Sequence, residues 1–133
     1  LLVAALAKET RTPQIAHWLE SQSGQELAVS DWVIAEFSSA LSIKRRTGQI
    51  DDSGRADALI EFKRLVDVSF SVLPVERAQF RMASQFADQF ALGLRGGDAL
   101  HLAIAADHRA ILCTLDRRLN DAGAALGIRT LLL

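Results

Sequence analysis

Three carboxylates occupy positions where the surrounding residues are apolar. Glu36 sits inside the helical pattern "DWVIAEFSSALSIKRR", Asp98 enters the apolar run "LRGGDALHLAI", and Asp116 directly follows "ILCTL". On a helix, the neighbours of Glu36 at three and four residues are Trp32, Val33, Ser39 and Ala40, with Ile43 two turns on. An unpaired carboxylate on such a face is costly. Simpler roles exist for each: a partly exposed helix residue for Glu36, and helix capping for Asp98 and Asp116. If the three converge within ~5 Å, however, each ionised pair repels by roughly 3 kcal/mol at an effective dielectric of 20. Such a cluster needs protons or a cation to neutralise it. Oxygen-only ligation points to Mg²⁺ or Mn²⁺ rather than zinc, which favours closely spaced His and Cys. His17, His101 and His108 do not supply such a set. His101, one turn after Asp98, reads either as a neighbour of that carboxylate or as a hydrogen-bonded core histidine. Divalent ions on a carboxylate floor suit phosphodiester hydrolysis, in which metal activates water and stabilises the leaving oxygen.

Basic residues flank these acids. Arg95 stands three residues before Asp98, and Arg117 and Arg118 follow Asp116. That rim suits a polyanion whose phosphate is handed to metal, although any one of these side chains also reads as a solvated surface arginine. The cluster "IKRRTG" at 43–48 reads as a favourable helix end. Thr114, two residues before Asp116, shares its strand face and could orient the carboxylate or a metal-bound water; an ordinary β-branched strand residue is the equal alternative. No phosphate-binding glycine loop is present, since "GLRGG" lacks the spacing and the following Lys-Ser/Thr of a P-loop.

The elements that must position these residues alternate. Helical periodicity is expected at about 1–8, 13–22, 31–47, 51–66, 75–91, 98–109 and 117–126, with strands at about 26–30, 68–73, 111–115 and 128–132. Pro13 suits a helix start, and Gly48 and Gly127 suit helix ends. The strand runs "ELAVS", "VSFSVL", "AILCTL" and "IRTLLL" are mostly continuous and apolar, the pattern of a parallel sheet covered on both faces. The fold class is therefore α/β. In open sheets of this kind ligands collect beyond the carboxyl ends of the strands, which is where Asp116 is expected.

The bulk of the chain sets limits. Its 133 residues, half of them apolar, suffice for one compact domain over 1–133, with no repeat or linker. Fifteen basic against sixteen acidic side chains leave a net charge of -1, which excludes holding nucleic acid by global charge. A single cysteine, Cys113, cannot form an internal disulfide and fits a reducing cytoplasm. The opening "LLVAALA" is too short to span a bilayer and lacks the flanks of a signal peptide.

Taken together, "AVSDWVIAEFSSAL" around Glu36, "GGDALHLAIA" around Asp98 and "ILCTLD" ending at Asp116 resemble, in order and spacing, the PIN-domain ribonucleases, and within them the VapC-type toxins of bacterial toxin–antitoxin pairs. "LLVAALAKE" is similar to the first helix of that family, so the resemblance covers essentially the whole chain. It implies a three-layer α/β/α sandwich with a central, mainly parallel sheet, and a metal-dependent endoribonuclease site in which Glu36, Asp98 and Asp116 are the metal-binding and catalytic acids. Thr114 would be a helper behind them. It also implies a homodimer, a structured RNA substrate such as transfer or ribosomal RNA, and a cognate antitoxin that inserts a basic segment into the acidic groove. The family opens with a central strand ending in a further Asp, ahead of the segment matching "LLVAALAKE"; that strand and a fourth acid are expected to precede Leu1. A non-catalytic PIN-like module that binds RNA or protein is the alternative.

Overall fold

The computed structural model describes residues 1–6, 12–22 and 24–133, which form two compact units, Leu1–Pro74 and Val75–Leu133. The first unit contains α1 (Leu2–Leu6), α2 (Thr12–Ser21), β1 (Ala28–Ser30), α3 (Asp31–Arg46), α4 (Asp52–Ser69) and β2 (Ser71–Leu73). The expected continuation of the first helix over Ala7 and Lys8 lies outside the described residues. Strands β1 and β2 pair in parallel, with Val29 opposite Val72.

Local chemistry accounts for the length of α3. The Ser30 hydroxyl accepts from the Val33 N–H at 3.3 Å, Asp31 stands in the first turn, and Lys44, Arg45 and Arg46 occupy the last, all favourable to the helix dipole. Gly48, at φ 73°, ends the helix. Its N–H donates to the Arg45 carbonyl while the Gln49 N–H reaches back to Lys44, a closure that needs a left-handed residue at this point. One core cluster of the unit joins the buried residues Leu2, Val29, Phe37, Leu41, Ala58, Phe62 and Val66. Within this core the Phe37 and Phe62 rings stack with centroids 3.9 Å apart.

Helix α4 runs to Ser69, three residues past its expected end at 66, and the strand expected from 68 contracts to Ser71–Leu73. Ala58, Phe62 and Val66 bury one stripe at intervals of four residues, and the Phe70 N–H still closes onto the Val66 carbonyl. That stripe outweighs the alternating "VDVS", which alone fits either element.

The second unit contains α5 (Arg77–Ala87), a 3-10 turn (Phe90–Leu92), α6 (Gly96–Asp107), β3 (Leu112–Thr114), α7 (Arg117–Ala125) and β4 (Thr130–Leu132). Strands β3 and β4 are also parallel, with Cys113 opposite Leu131. Helix α5 stops before the expected 91 because Phe90, 94 % exposed, has no core to pack on. Helix α6 is apolar on nearly every side and buries Ala99, Leu100, Leu102, Ala103, Ile104 and Ala105, as a helix enclosed by other elements must. Its core partners include Leu119, Ala122 and Ile128. Gly123 of α7 allows close approach: a Cβ there would lie 2.4 Å from Thr130 Cγ2 and 3.0 Å from Leu102 Cδ2. The α/β class and parallel pairing expected from the apolar runs are both observed.

Candidate active site

In the first unit Glu36 projects from the second turn of α3, half-buried. The core-facing residues of that helix are Phe37 and Leu41, so Glu36 flanks the buried stripe rather than standing within it. Ile43, which the sequence placed on the same apolar face, is exposed. One turn before Glu36, the indole Nε1 of Trp32 is buried without a hydrogen-bond partner among the described residues.

In the second unit, α6 begins two residues earlier than expected. Arg95 is the N-cap residue, at φ −85° and ψ 158°, and makes no side-chain cap, while Gly96 and Gly97 form the start of the first turn. Asp98 is therefore the third residue of the helix and does not cap it. Glycines tolerate this position, and the dipole favours a carboxylate in the first turn even without a direct bond. Half-buried, the Asp98 carboxylate makes no hydrogen bond or ion pair among the described residues. His101 stands one turn on, also half-buried.

Asp116 does cap its helix. Its Oδ1 accepts from the Arg118 N–H at 2.8 Å and the Leu119 N–H at 3.3 Å, opening α7. Those two bonds engage Oδ1 and leave Oδ2 outside the cap. Thr114 is 6 % exposed, and its Oγ1 accepts from the Asp116 backbone N–H at 3.0 Å. The threonine thus holds the turn carrying the acid, through main chain rather than through the carboxylate itself. Arg95, Arg117 and Arg118, the basic neighbours of these acids in sequence, are exposed. Cys113 is a free thiol whose pKa burial raises, which makes it a poor nucleophile and fits a packing role.

A positioning residue was missed by inspection of the sequence. Gln79 of α5 is 1 % exposed; its Oε1 accepts from the Glu76 N–H at 2.8 Å and its Nε2 donates to Asp107 Oδ2 at 2.8 Å. The amide ties the start of α5 to the end of α6, the helix that carries Asp98. The spacing Glu76-x-x-Gln79 at a helix start is the signal that could have revealed it.

The family comparison now decides what this arrangement belongs to. The model of the PIN domain matches residues 1–125, which takes in Glu36, Asp98 and Asp116. The chain belongs to the PIN domain family. PIN domains are in general metal-dependent nucleases that act on RNA, and divalent ions are their usual cofactor. Comparison with curated proteins gives no match. The donors available suit such an ion in kind: Asp98 is unengaged, Asp116 has one carboxylate oxygen outside its cap, and both are hard oxygen ligands. Neither unit by itself, among the described residues, gathers three or more His, Cys, Asp or Glu side chains closely enough to hold a metal. No helix among the described residues is long and apolar enough to cross a membrane.

Proposed function

We propose that this PIN domain is a Mg²⁺- or Mn²⁺-dependent endoribonuclease of the VapC type, the cytoplasmic toxin of a toxin–antitoxin pair. The observation that carries the reading is the unengaged, half-buried carboxylate of Asp98 at the start of an otherwise apolar helix, in a chain of a nuclease family. Burying an acid without a partner is unfavourable unless a cation compensates it. The family match runs through both compact units, which supports treating 1–133 as one domain.

In this reading Glu36, Asp98 and Asp116 hold the metal, and they are the catalytic acids. The bound ion would supply a Lewis acid for the phosphate and lower the pKa of water to the range where hydroxide attacks. The chain's own residues do the positioning. The N–H groups of Arg118 and Leu119 hold Asp116 Oδ1, so Oδ2 keeps one direction, and Thr114 steadies the turn from behind. Arg95 and Arg117 contact phosphates flanking the scissile bond and fix the register of the RNA. The protein acts as a homodimer on transfer or ribosomal RNA and is silenced by an antitoxin whose basic segment occupies the acid-lined groove.

Purified protein freed of any partner should cleave transfer RNA when Mg²⁺ or Mn²⁺ is added and stop when chelator is added. Asp98→Asn should lower cleavage by at least 10²-fold while the circular dichroism spectrum stays unchanged. Cleavage indifferent to chelator would overturn the proposal. A second reading, a PIN module that binds RNA without cutting it, is favoured by the lack of a three-donor group among the described residues of either unit. It would be supported by RNA binding that neither needs metal nor leads to cleavage.

A further inference from the structure

The end of α6 remote from Asp98 carries a feature that helix formation does not account for. Among the described residues Arg109 is the only non-glycine residue with positive φ, at 53°. It stands just past the helix, where the Arg109 N–H donates to the Ala106 carbonyl and the Ala110 N–H to Ala105. This closure is the one that Gly48 completes at the end of α3, and glycine is the residue it suits. A long cationic side chain is held here against the preference of its own backbone. Positive φ at a residue other than glycine is uncommon and recurs at sites of function.

A second arginine is fixed beside it. The Arg129 guanidinium donates from Nη2 to the Arg109 carbonyl, and the Arg129 carbonyl accepts from the Leu112 N–H at 3.0 Å, so the residues leading into β3 and β4 lie side by side. Both arginines are exposed, and neither makes an ion pair among the described residues. The acid next to them in sequence, Asp107, is engaged by Gln79 Nε2. A guanidinium has five N–H donors, and one bond to a carbonyl leaves most of those of Arg129 unused. A favourable interaction with the helix dipole accounts for one cation at this end. It does not require Arg109 to adopt a left-handed backbone.

We propose that Arg109 and Arg129 form a second contact for the phosphate backbone of RNA, separate from the acids. The inference rests on the ribonuclease reading above. From Asp98 to Arg109 is eleven residues along α6 and its cap, about 16 Å at 1.5 Å per residue. Successive phosphates of a duplex strand lie only a few ångströms apart along the axis, so a helical RNA placed at Asp98 would bring further phosphates within range of this pair. Guanidinium groups on phosphate recognise backbone and not sequence, so the contact anchors structured RNA of any sequence.

Binding of a fluorescent 20-base-pair RNA duplex to the full chain, measured in chelator so that nothing is cut, tests this. Arg109→Gly should weaken binding about 3- to 10-fold and reduce the slope of log affinity against log salt by about one. Arg129→Gln should do the same, and the double variant should lose about two units of slope. Arg109→Gly should melt no lower than the parent, since glycine relaxes the left-handed position, so weaker binding would not reflect unfolding. Variants that bind with the parent's affinity and slope, while the parent binds RNA, would overturn this contact and leave the ribonuclease reading intact. A parent that neither binds nor cleaves RNA would remove that reading and this inference with it.

Discussion

Single residues carry the sharpest consequences. Gly123 faces Thr130 Cγ2 and Leu102 Cδ2 so closely that a methyl group cannot be added without shifting the Thr130 side chain and crowding Leu102. Gly123→Ala removes the entropic disadvantage of a glycine in α7, worth about 1 kcal/mol, but introduces overpacking of about 1–3 kcal/mol. A net loss of stability in urea unfolding is therefore expected, and a gain would show that the contact relaxes freely. On the surface, the side-chain hydrogen bond from Arg45, with its charge, holds the Asp52 carboxyl below its ordinary range; the contact is 2.5 Å. The folded-state pKa lies below the unfolded one, so what this pair contributes is present above the unfolded pKa and is lost as pH falls through the folded value. NMR titration should find Asp52 ionising below the usual carboxylate range, and Arg45→Ala should move it back up. The sequence suggested where acids stood among apolar residues, but not how each was engaged. Capping was a reading for both Asp98 and Asp116, and of the two only Asp116 makes a cap. The difference lies in where the helix begins: the pair Gly96–Gly97 joined the helix instead of preceding it, and periodicity does not register a shift of two permissive residues.

At the scale of elements, the α5–α6 pair shows how a polar residue can fix apolar ones. Helix α6 has apolar side chains on almost every face, so burial alone specifies poorly its rotation and sliding against α5. Gln79 removes that freedom through directed bonds to Glu76 and Asp107. Gln79→Leu keeps approximate volume but leaves the Glu76 N–H without its acceptor. A cost of about 1–3 kcal/mol is expected, together with faster amide exchange at Glu76 than in the parent. Unchanged stability would mean that water replaces the amide at no cost. Most of these elements were legible in advance, because four apolar runs and seven periodic segments map onto the observed strands and helices within a few residues. The exceptions have local causes. Helix α4 overran into an expected strand because one further turn closes on the buried Val66, whose carbonyl accepts from the Phe70 N–H, and α5 fell short because Phe90 found nothing to pack on. Both depend on which side chains meet a core, which a linear pattern does not contain.

For the whole molecule, the balance of charge is informative because it is so nearly even. At net charge -1 the chain has no net long-range attraction for RNA, so the proposed function requires affinity to arise from arginines standing locally unpaired, with the acids reserved for metal. That division has a thermodynamic signature independent of cleavage. An ion that binds the folded chain and not the unfolded one raises stability by RT ln(1 + [L]/Kd), about 2.7 kcal/mol at a hundredfold excess over Kd. Titrating Mn²⁺ into the metal-free protein should therefore raise its melting temperature with a saturable dependence. Asp98→Asn should abolish most of the increase and raise the melting temperature in the absence of metal, since a half-buried charge without a partner has been removed. The two halves of this expectation separate the alternatives. If metal leaves the parent unaffected and Asp98→Asn is still stabilising, the acid is held for another cation, such as a basic side chain of a partner. If both proteins respond to Mn²⁺ alike, Asp98 is not a ligand, and the role proposed for it is wrong.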